Sequence, residues 1–163
     1  ALRASADPGV RGRAAVLAAS LAPRRARVYE KVVAMLEDEH PCARSYAATA
    51  LSRTRRAAAI HRIVGLVDDL AADRHVIKYR KLRGRGSAVT HHRKWTTVHD
   101  RAVQAIARLS RKMDQPFKPE RPGKKKRAET RKKNAAAANA WYARHEARLP
   151  KAEPSPPDGE PAR

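Results

Sequence analysis

The sequence predicts an all-α protein, a short solenoid of helix pairs that carries a basic loop insertion and an extended basic C-terminal tail. Helical periodicity dominates up to about Lys112, and no segment alternates at period two for long enough to indicate a sheet. A short helical pattern also recurs along this part of the chain, as stacked helix pairs require. The composition then changes after Met113, where prolines and basic residues replace the apolar periodicity.

Three nine-residue segments carry the repeat and align without gaps, VRGRAAVLA at 10–18, ARSYAATAL at 43–51 and VHDRAVQAI at 98–106. The second begins 33 residues after the first, and the third begins 55 residues after the second. The apolar segments that precede the second and third copies, 32–38 and 63–69, are only 31 residues apart. The third copy is therefore delayed by an insertion of 24 residues between Leu70 and Val98.

The second helix of each copy presents residues i, i+4, i+7 and i+11 on one face. Asp7-Pro8-Gly9 and His40-Pro41 precede the first two of these helices, where proline is tolerated. The three rows are Val10, Ala14, Leu17 and Leu21; Ala43, Ala47, Ala50 and Thr54; and Val98, Ala102, Ala105 and Leu109. We expect antiparallel hairpins that bury these residues between layers: Leu17, Ala47, Ala50, Leu66 and Ala105.

These residues resemble the HEAT repeats, in particular their short, lyase-like variety, whose second helix begins Asp-Pro-x-x-Val-Arg and continues with alanines to a leucine. The third copy departs from the pattern at His99, where the family has Arg, so its inter-repeat Asp–Arg contact is in doubt. The resemblance covers roughly residues 1–111 and implies a right-handed stack of helix pairs, without implying a ligand. The matching residues are Asp7, Pro8, Val10, Arg11 and Ala14 in the first copy, and Pro41, Arg44, Ala47, Ala50 and Leu51 in the second.

The charge of the chain predicts an anionic partner. The sequence contains 37 Lys and Arg against 16 Asp and Glu, a net charge of +21 over 163 residues, and such an excess opposes compaction by self-repulsion. Nucleic acid, an anionic membrane surface and an acidic protein are the candidates in that order. No segment has the roughly 20 apolar residues of a membrane span. The single cysteine, Cys42, indicates an intracellular protein without an internal disulfide.

The insertion, residues 71–97, is the first candidate site. Its cations would contact phosphates and its aromatic side chains would stack on bases, as in ribosomal-protein extensions that enter folded RNA; a solvated loop is the alternative. The predicted RNA-binding residues are Lys78, Tyr79, Arg80, Lys81, Arg83, Arg85, His92, Arg93, Lys94 and Trp95.

The tail is the second candidate site. We expect a basic, proline-containing linker at 113–127, an Ala-rich basic helix at 128–149 and a low-complexity end at 150–163. The segment after Pro116 should leave the helical stack and lie on a neighbouring molecule, with Trp141 and Tyr142 as protein-docking residues. The cluster itself fits RNA contact, a nuclear import signal or nonspecific charge. Its predicted RNA-binding residues are Lys124, Lys125, Lys126, Arg127, Arg131, Lys132 and Lys133.

Catalytic, metal and cofactor sites are not expected, because His91, His92 and His99 lack accompanying ligands and Asp68 and Asp69 lack an evident pocket. We therefore expect no enzyme and no small-molecule substrate. The predicted function is a structural RNA-binding subunit of a large ribonucleoprotein, namely a mitochondrial ribosomal protein that contacts rRNA through its basic insertion and tail. The mitochondrial location rests on Arg-rich composition and on a chain that opens at Ala1, as a processed or partial product would. The alternative is a protein-binding scaffold of a respiratory or axonemal complex, whose basic segments contact acidic protein or lipid.

Overall fold

A computed structural model describes residues 7–73, 77–83, 86–92, 96–121 and 127–151. The framework of these residues is helical, which confirms the predicted helical class. Short 3₁₀ turns extend or precede several of the helices. The α-helices in the described ranges are α1 (Pro8–Leu21), α2 (Ala26–Ala34), α3 (Pro41–Leu51), α4 (Ile60–Ile63), α5 (Val98–Leu109) and α6 (Arg127–His145).

Helix α3 lies at the centre of the fold, with α1 on one side and α5 on the other, and α6 packs on the far side of α5. Ala47 and Ala50 of α3 are fully buried, as are Ala102 and almost all of Ala105 in α5. The prediction that these four alanines are buried is confirmed. Small side chains at these positions let neighbouring helices approach closely, and larger residues such as Met35, Ile60 and Ile63 complete the core.

Helix α1 buries a different face from the one predicted. Its first turn is capped by the Asp7 carboxylate, which accepts hydrogen bonds from the amides of Gly9 and Val10. The predicted burial of Leu17 is wrong, because its side chain is 59% exposed. Val10 and Leu21 of the same row are also exposed. The residues that α1 buries are Gly9, Gly12, Ala15 and Ala19.

Gly12 explains why the small-residue face of α1 turns inward. A Cβ atom added to Gly12 would lie 2.5 Å from Cδ2 and 2.6 Å from Cβ of Tyr46 on α3. Since the Tyr46 Cβ is attached to the helix backbone, a side-chain rotation cannot relieve that clash. A leucine on this face would hold the two helices apart.

Replacing Gly12 by Ala should lower the free energy of unfolding by about 1–3 kcal/mol through overpacking, although Ala favours helix by about 1 kcal/mol elsewhere. Gly65→Ala is the matched control, because no atom lies within 4 Å of the position its Cβ would take. Urea unfolding of both variants measures the difference. Equal stabilities would contradict the close approach of α1 and α3.

Two ion pairs recur at equivalent positions. Arg11 of α1 pairs with Asp38 at 3.1 Å, and Arg44 of α3 pairs with Asp69 at 2.8 Å. The arginines are separated by 33 residues and the aspartates by 31, the same two steps as in the repeat. In the third copy His99 takes the arginine position, is buried, and its Nδ1 hydrogen-bonds to the carbonyl of Val67 instead.

The helices that precede α3 and α5 are less regular than the repeat predicts. Residues that follow α2 and α4 continue as 3₁₀ turns, Met35–Glu37 and Val64–Leu66. Leu66 was predicted to be buried between layers, but it is only partly buried because the chain has tightened into the second of these turns.

The insertion contains strands, which the sequence analysis did not predict. β2 (Ile77–Arg83) pairs antiparallel with β3 (Gly86–His92), from Ile77 opposite His92 to Arg83 opposite Gly86. β1 (Ala72–Asp73) pairs with β4 (Thr96–Thr97) and brings both ends of the insertion together. Antiparallel strands are joined by hydrogen bonds between backbone groups, which do not require apolar and polar residues to alternate. The basic sequence of the hairpin therefore carried no strand pattern.

The tail packs on the chain itself. Helix α6 lies against α5 through residues spaced along one of its faces, so the expectation that the segment after Pro116 leaves the helical stack is wrong. Polar side chains also form part of this contact, so the tail packs on the chain although it has few apolar residues. The buried residues of α6 are Thr130, Asn134, Ala138, Trp141 and His145.

Candidate nucleic-acid interface

A groove of about 1050 Å³ lies where α3, α5, the start of α6 and residues 116–121 meet. Its lining is strongly basic, with two acidic residues, Asp100 and Glu120, among the lining residues. The basic lining residues are Arg53, Arg101, Arg108, Arg111, Lys118, Arg121, Arg127 and Arg131. A concave surface with this charge excess concentrates anions.

Helix α5 supplies the floor of the groove. Arg101, Gln104 and Arg108 follow one another at i, i+3 and i+7, and Arg111 continues the same row into the 3₁₀ turn Ser110–Lys112. Such spacing places them on one face, opposite the buried Ala102 and its neighbours. The row spans about 15 Å at 1.5 Å per residue. Sequence reasoning missed this surface, although the spacing of its three arginines was visible.

Residues 116–121 form one rim and are held to the helices at both ends. The amide of Phe117 donates to Ser110 Oγ at 3.0 Å, and the Phe117 ring is buried. Asn134 of α6 binds the backbone of Glu120 twice, accepting from its amide at 2.9 Å and donating to its carbonyl at 3.0 Å. These bonds leave Lys118 and Arg121 exposed at the groove.

An ion pair between α5 and α6 fixes the start of α6 at the groove. Arg131 Nε donates to Asp100 Oδ1 at 3.0 Å, and Arg131 Nη2 donates to Asp100 Oδ2 at 2.7 Å. The amide of Thr97 donates to Asp100 Oδ2, and the Thr97 hydroxyl accepts from the Asp100 amide, which completes a capping box at the start of α5. The bidentate contact aligns the two helices.

Opposing effects act on the ionisation of this pair. Burial raises the pKa of the Asp100 carboxyl, but the hydrogen bonds from Arg131 and Thr97 and the Arg131 charge outweigh it and hold the pKa below its ordinary value. The hydrogen bond to Asp100 raises the pKa of Arg131. Asp100 therefore remains charged at neutral pH and neutralises Arg131.

Asp100→Asn should lower the free energy of unfolding by about 1–3 kcal/mol at pH 7, because it removes charge-assisted hydrogen bonds. The folded-state pKa of Asp100 lies below the unfolded value of about 3.9, so the difference from wild type should be full above that pH and fall with pH below it. Urea unfolding at pH 7 and pH 3 measures both. Glu120→Gln, the control, removes an exposed acid from the same groove and should hardly change the free energy of unfolding. If the effect of Asp100→Asn were the same at pH 7 and pH 3, the predicted link between Asp100 ionisation and stability would be refuted.

Comparisons with protein-family models, with curated proteins and with solved structures give no match for this chain. Every helix in the described part of the chain is too short or too polar to cross a membrane. The same residues contain no group of three or more His, Cys, Asp and Glu side chains that could hold a metal ion.

In the sequence, the insertion directly precedes α5, the helix that lines the groove. Lys78, Tyr79, Arg80, Lys81 and Arg83 lie on β2, and His92 lies on β3. β4 is followed directly by α5. His99 lies two residues after the end of β4 and lines the groove. The remaining predicted residues of the insertion lie outside the described residues: Arg85, Arg93, Lys94 and Trp95.

The predicted tail cluster divides into parts. Arg127 is exposed at the groove, whereas Arg131, predicted to bind RNA, is engaged by Asp100. Lys132 and Lys133 lie on the exposed side of α6, where Lys133 pairs with Glu129 at 3.2 Å. The cluster's first three residues lie outside the described residues: Lys124, Lys125 and Lys126.

The two aromatic residues of the tail are used within the chain, which corrects their assignment as protein-docking residues. Trp141 is 5% exposed, and its Nε1 donates to the Gln115 carbonyl at 2.7 Å. The Tyr142 hydroxyl donates to Glu146 Oε1 at 2.9 Å and lies 2.8 Å from His61 Nδ1. Burial raises the pKa of Tyr142, and the bond to Glu146 adds to it. Both side chains therefore hold α6 in place.

Proposed function

We propose that this protein is a structural RNA-binding subunit of a large ribonucleoprotein and that the basic groove is its principal RNA contact. The observation that carries the proposal is the lining itself. Seven of its eight basic side chains remain once Arg131 is matched with Asp100, against one further acid, Glu120. Phosphates would neutralise these charges and release counterions, which is the main source of affinity for nucleic-acid backbones.

The dimensions of the groove fit a nucleic-acid strand. The arginine row on α5 is about 15 Å long, which matches about four phosphates of one strand of a duplex at 3.4 Å per phosphate; the remaining cations of the groove would contact phosphates beyond those four. Residues 116–121 and the start of α6 add further cations around that row, so a backbone lying along α5 would meet positive charge from neighbouring elements as well. The insertion supports a longer path, because its paired ends lead into the first turn of the same helix.

We also propose that the helical part is a short HEAT-like stack that acts as a scaffold for these basic surfaces. Two features support it: the side-by-side packing of α1, α3 and α5, and the recurrence of the Arg11–Asp38 pair as Arg44–Asp69. A ribosome is the assembly this combination fits best. The mitochondrial location stays a prediction from the sequence.

The test is the affinity of the full chain for polyanions as a function of salt. A fluorescently labelled single-stranded RNA, a hairpin RNA and polyglutamate of similar charge serve as probes in anisotropy titrations. For single-stranded RNA we expect log K to fall linearly with log salt with a slope of about −5, from seven cations at about −0.7 each. Equal affinity for polyglutamate would favour the protein-scaffold alternative, as would retention of this chain in a ribonuclease-treated particle.

A further inference from the structure

The outer face of α1 presents an apolar row that no described part of the chain covers. Val10 is 45% exposed, Leu17 is 59% exposed and Leu21 is 76% exposed. They follow one another at i, i+7 and i+11, so they share one face of the helix, with the half-buried Ala14 between them. A continuous apolar row on a helix indicates a contact surface, unlike single exposed leucines.

The repeat indicates what kind of element such a row contacts. The equivalent row of α3 contains Ala43, Ala47 and Ala50, all fully buried. Tyr46 of α3 lies against Gly12 of α1, and Arg53, just after the end of α3, makes a 3.3 Å hydrogen bond to Ser20 Oγ of α1. In the second copy, therefore, this face packs against the preceding helix, and the α1 row is the place where a further helix would pack.

The size and charge of the side chains on α1 limit which helix could pack on this row. Where α1 meets α3, the preceding helix contributes Gly and Ala and the following helix contributes the larger side chain. Residues 7–27 contain five arginines and one acid, and that acid, Asp7, caps α1. Arg13 is exposed and lies on α1 between Val10 and Leu17. A complementary helix therefore has a row of small residues flanked by acids.

We propose that the outer face of α1 binds an α-helix of another protein, one with a row of Gly and Ala flanked by Asp or Glu. A second copy of this chain does not fit, because a charge of +21 on each copy repels and α1 contains no acid to meet Arg13. This contact is separate from the groove, which lies on the other side of α3 against α5.

Three synthetic helical peptides test the proposal against the full chain. The first copies the Gly and Ala spacing of α1's buried face and flanks it with Glu; the second carries Lys in place of Glu; the third carries Gln in place of the small residues. We expect the Glu-flanked peptide to bind and the other two to bind at least about tenfold more weakly. Equal binding of the first and third peptides would overturn the proposal.

Variants of the chain assign the contact to α1. The double variant Leu17→Gln and Leu21→Gln should weaken peptide binding at least about tenfold, because it removes two exposed apolar side chains from the contact. Arg13→Glu should reverse the preference and favour the Lys-flanked peptide. Leu70→Gln is the matched control, since Leu70 is 56% exposed but lies outside α1. Unfolding should be unchanged in all of them, and RNA binding should weaken at most severalfold, because none of these residues lines the groove.

Two outcomes would remove the partner helix from this face. Peptide binding unaffected by the double variant would place the contact elsewhere. Dimers of the wild-type chain at micromolar concentration in sedimentation experiments, lost in the double variant, would assign the face to a second copy of this chain.

Discussion

Replacing Arg108, Arg111 and Arg121 together by Gln should weaken binding of single-stranded RNA about a hundredfold near 0.1 M salt. Each phosphate contact on a single strand contributes a slope of about −0.7, which is about fivefold in affinity per tenfold change in salt. The three arginines are exposed and line the same groove. Their loss should also reduce the salt slope by about 2, from about −5 to about −3.

The matched control is Arg27, Arg62 and Arg148 changed to Gln, which removes the same charge from exposed residues outside the groove. It should weaken binding only severalfold, with a nearly unchanged slope, because distant charges are screened within about 10 Å at this salt. Equal losses in the two triple variants would mean that RNA responds to net charge and not to the groove. Circular dichroism should show the same helicity in both variants.

Trp141→Ala should lower the free energy of unfolding by about 3–5 kcal/mol, the usual cost of truncating a buried aromatic residue. The indole stacks on His145 with ring centroids 4.6 Å apart and tilts against Phe117 at 6.2 Å. Its Nε1 also donates to the Gln115 carbonyl. The side chain thus joins α6 to the segment that forms the rim of the groove. Urea unfolding measures the loss.

Two further measurements separate a local role from a global one. Trp141→Phe keeps the ring packing and loses the hydrogen bond, so it should cost about 1–2 kcal/mol. Hydrogen exchange of Trp141→Ala should show faster exchange in α6 than in α3, because α6 contacts the fold mainly through α5. RNA affinity should fall as well, since Arg127 would leave the groove. An unchanged unfolding transition in Trp141→Ala would contradict the docked tail.

The register of the repeat was available from the sequence because it depends on local spacing. Alanines at i+4 and i+7 of the second and third of these helices predict a buried face, and Ala47, Ala50, Ala102 and Ala105 are buried. The interruption of the third copy located the insertion for the same reason. Trp141 was noticed as an anchor, but the surface that would receive it was not evident from spacing.

The inward face of α1 was misassigned because periodicity reports which residues share a face and not which face a neighbour approaches. Val10, Leu17 and Leu21 form the more apolar row, yet contact with Tyr46 admits only Gly12 and its small neighbours. The hairpin was also not predicted, because β2 and β3 pair through backbone hydrogen bonds, and their side chains show no regular alternation of apolar and polar residues.

The sequence by itself determined the helical class, the repeat spacing, the buried alanines and the net charge from which we predict an anionic partner, because these follow from local periodicity and composition. Only the tertiary structure decided where the tail lies and where its charges act. Asn134 bonds the backbone of Glu120, Trp141 that of Gln115, and Arg131 the carboxylate of Asp100. Polar contacts between residues distant in sequence depend on how the backbone brings those residues together, so they cannot be predicted from local sequence patterns. They turn three separate basic segments into one groove.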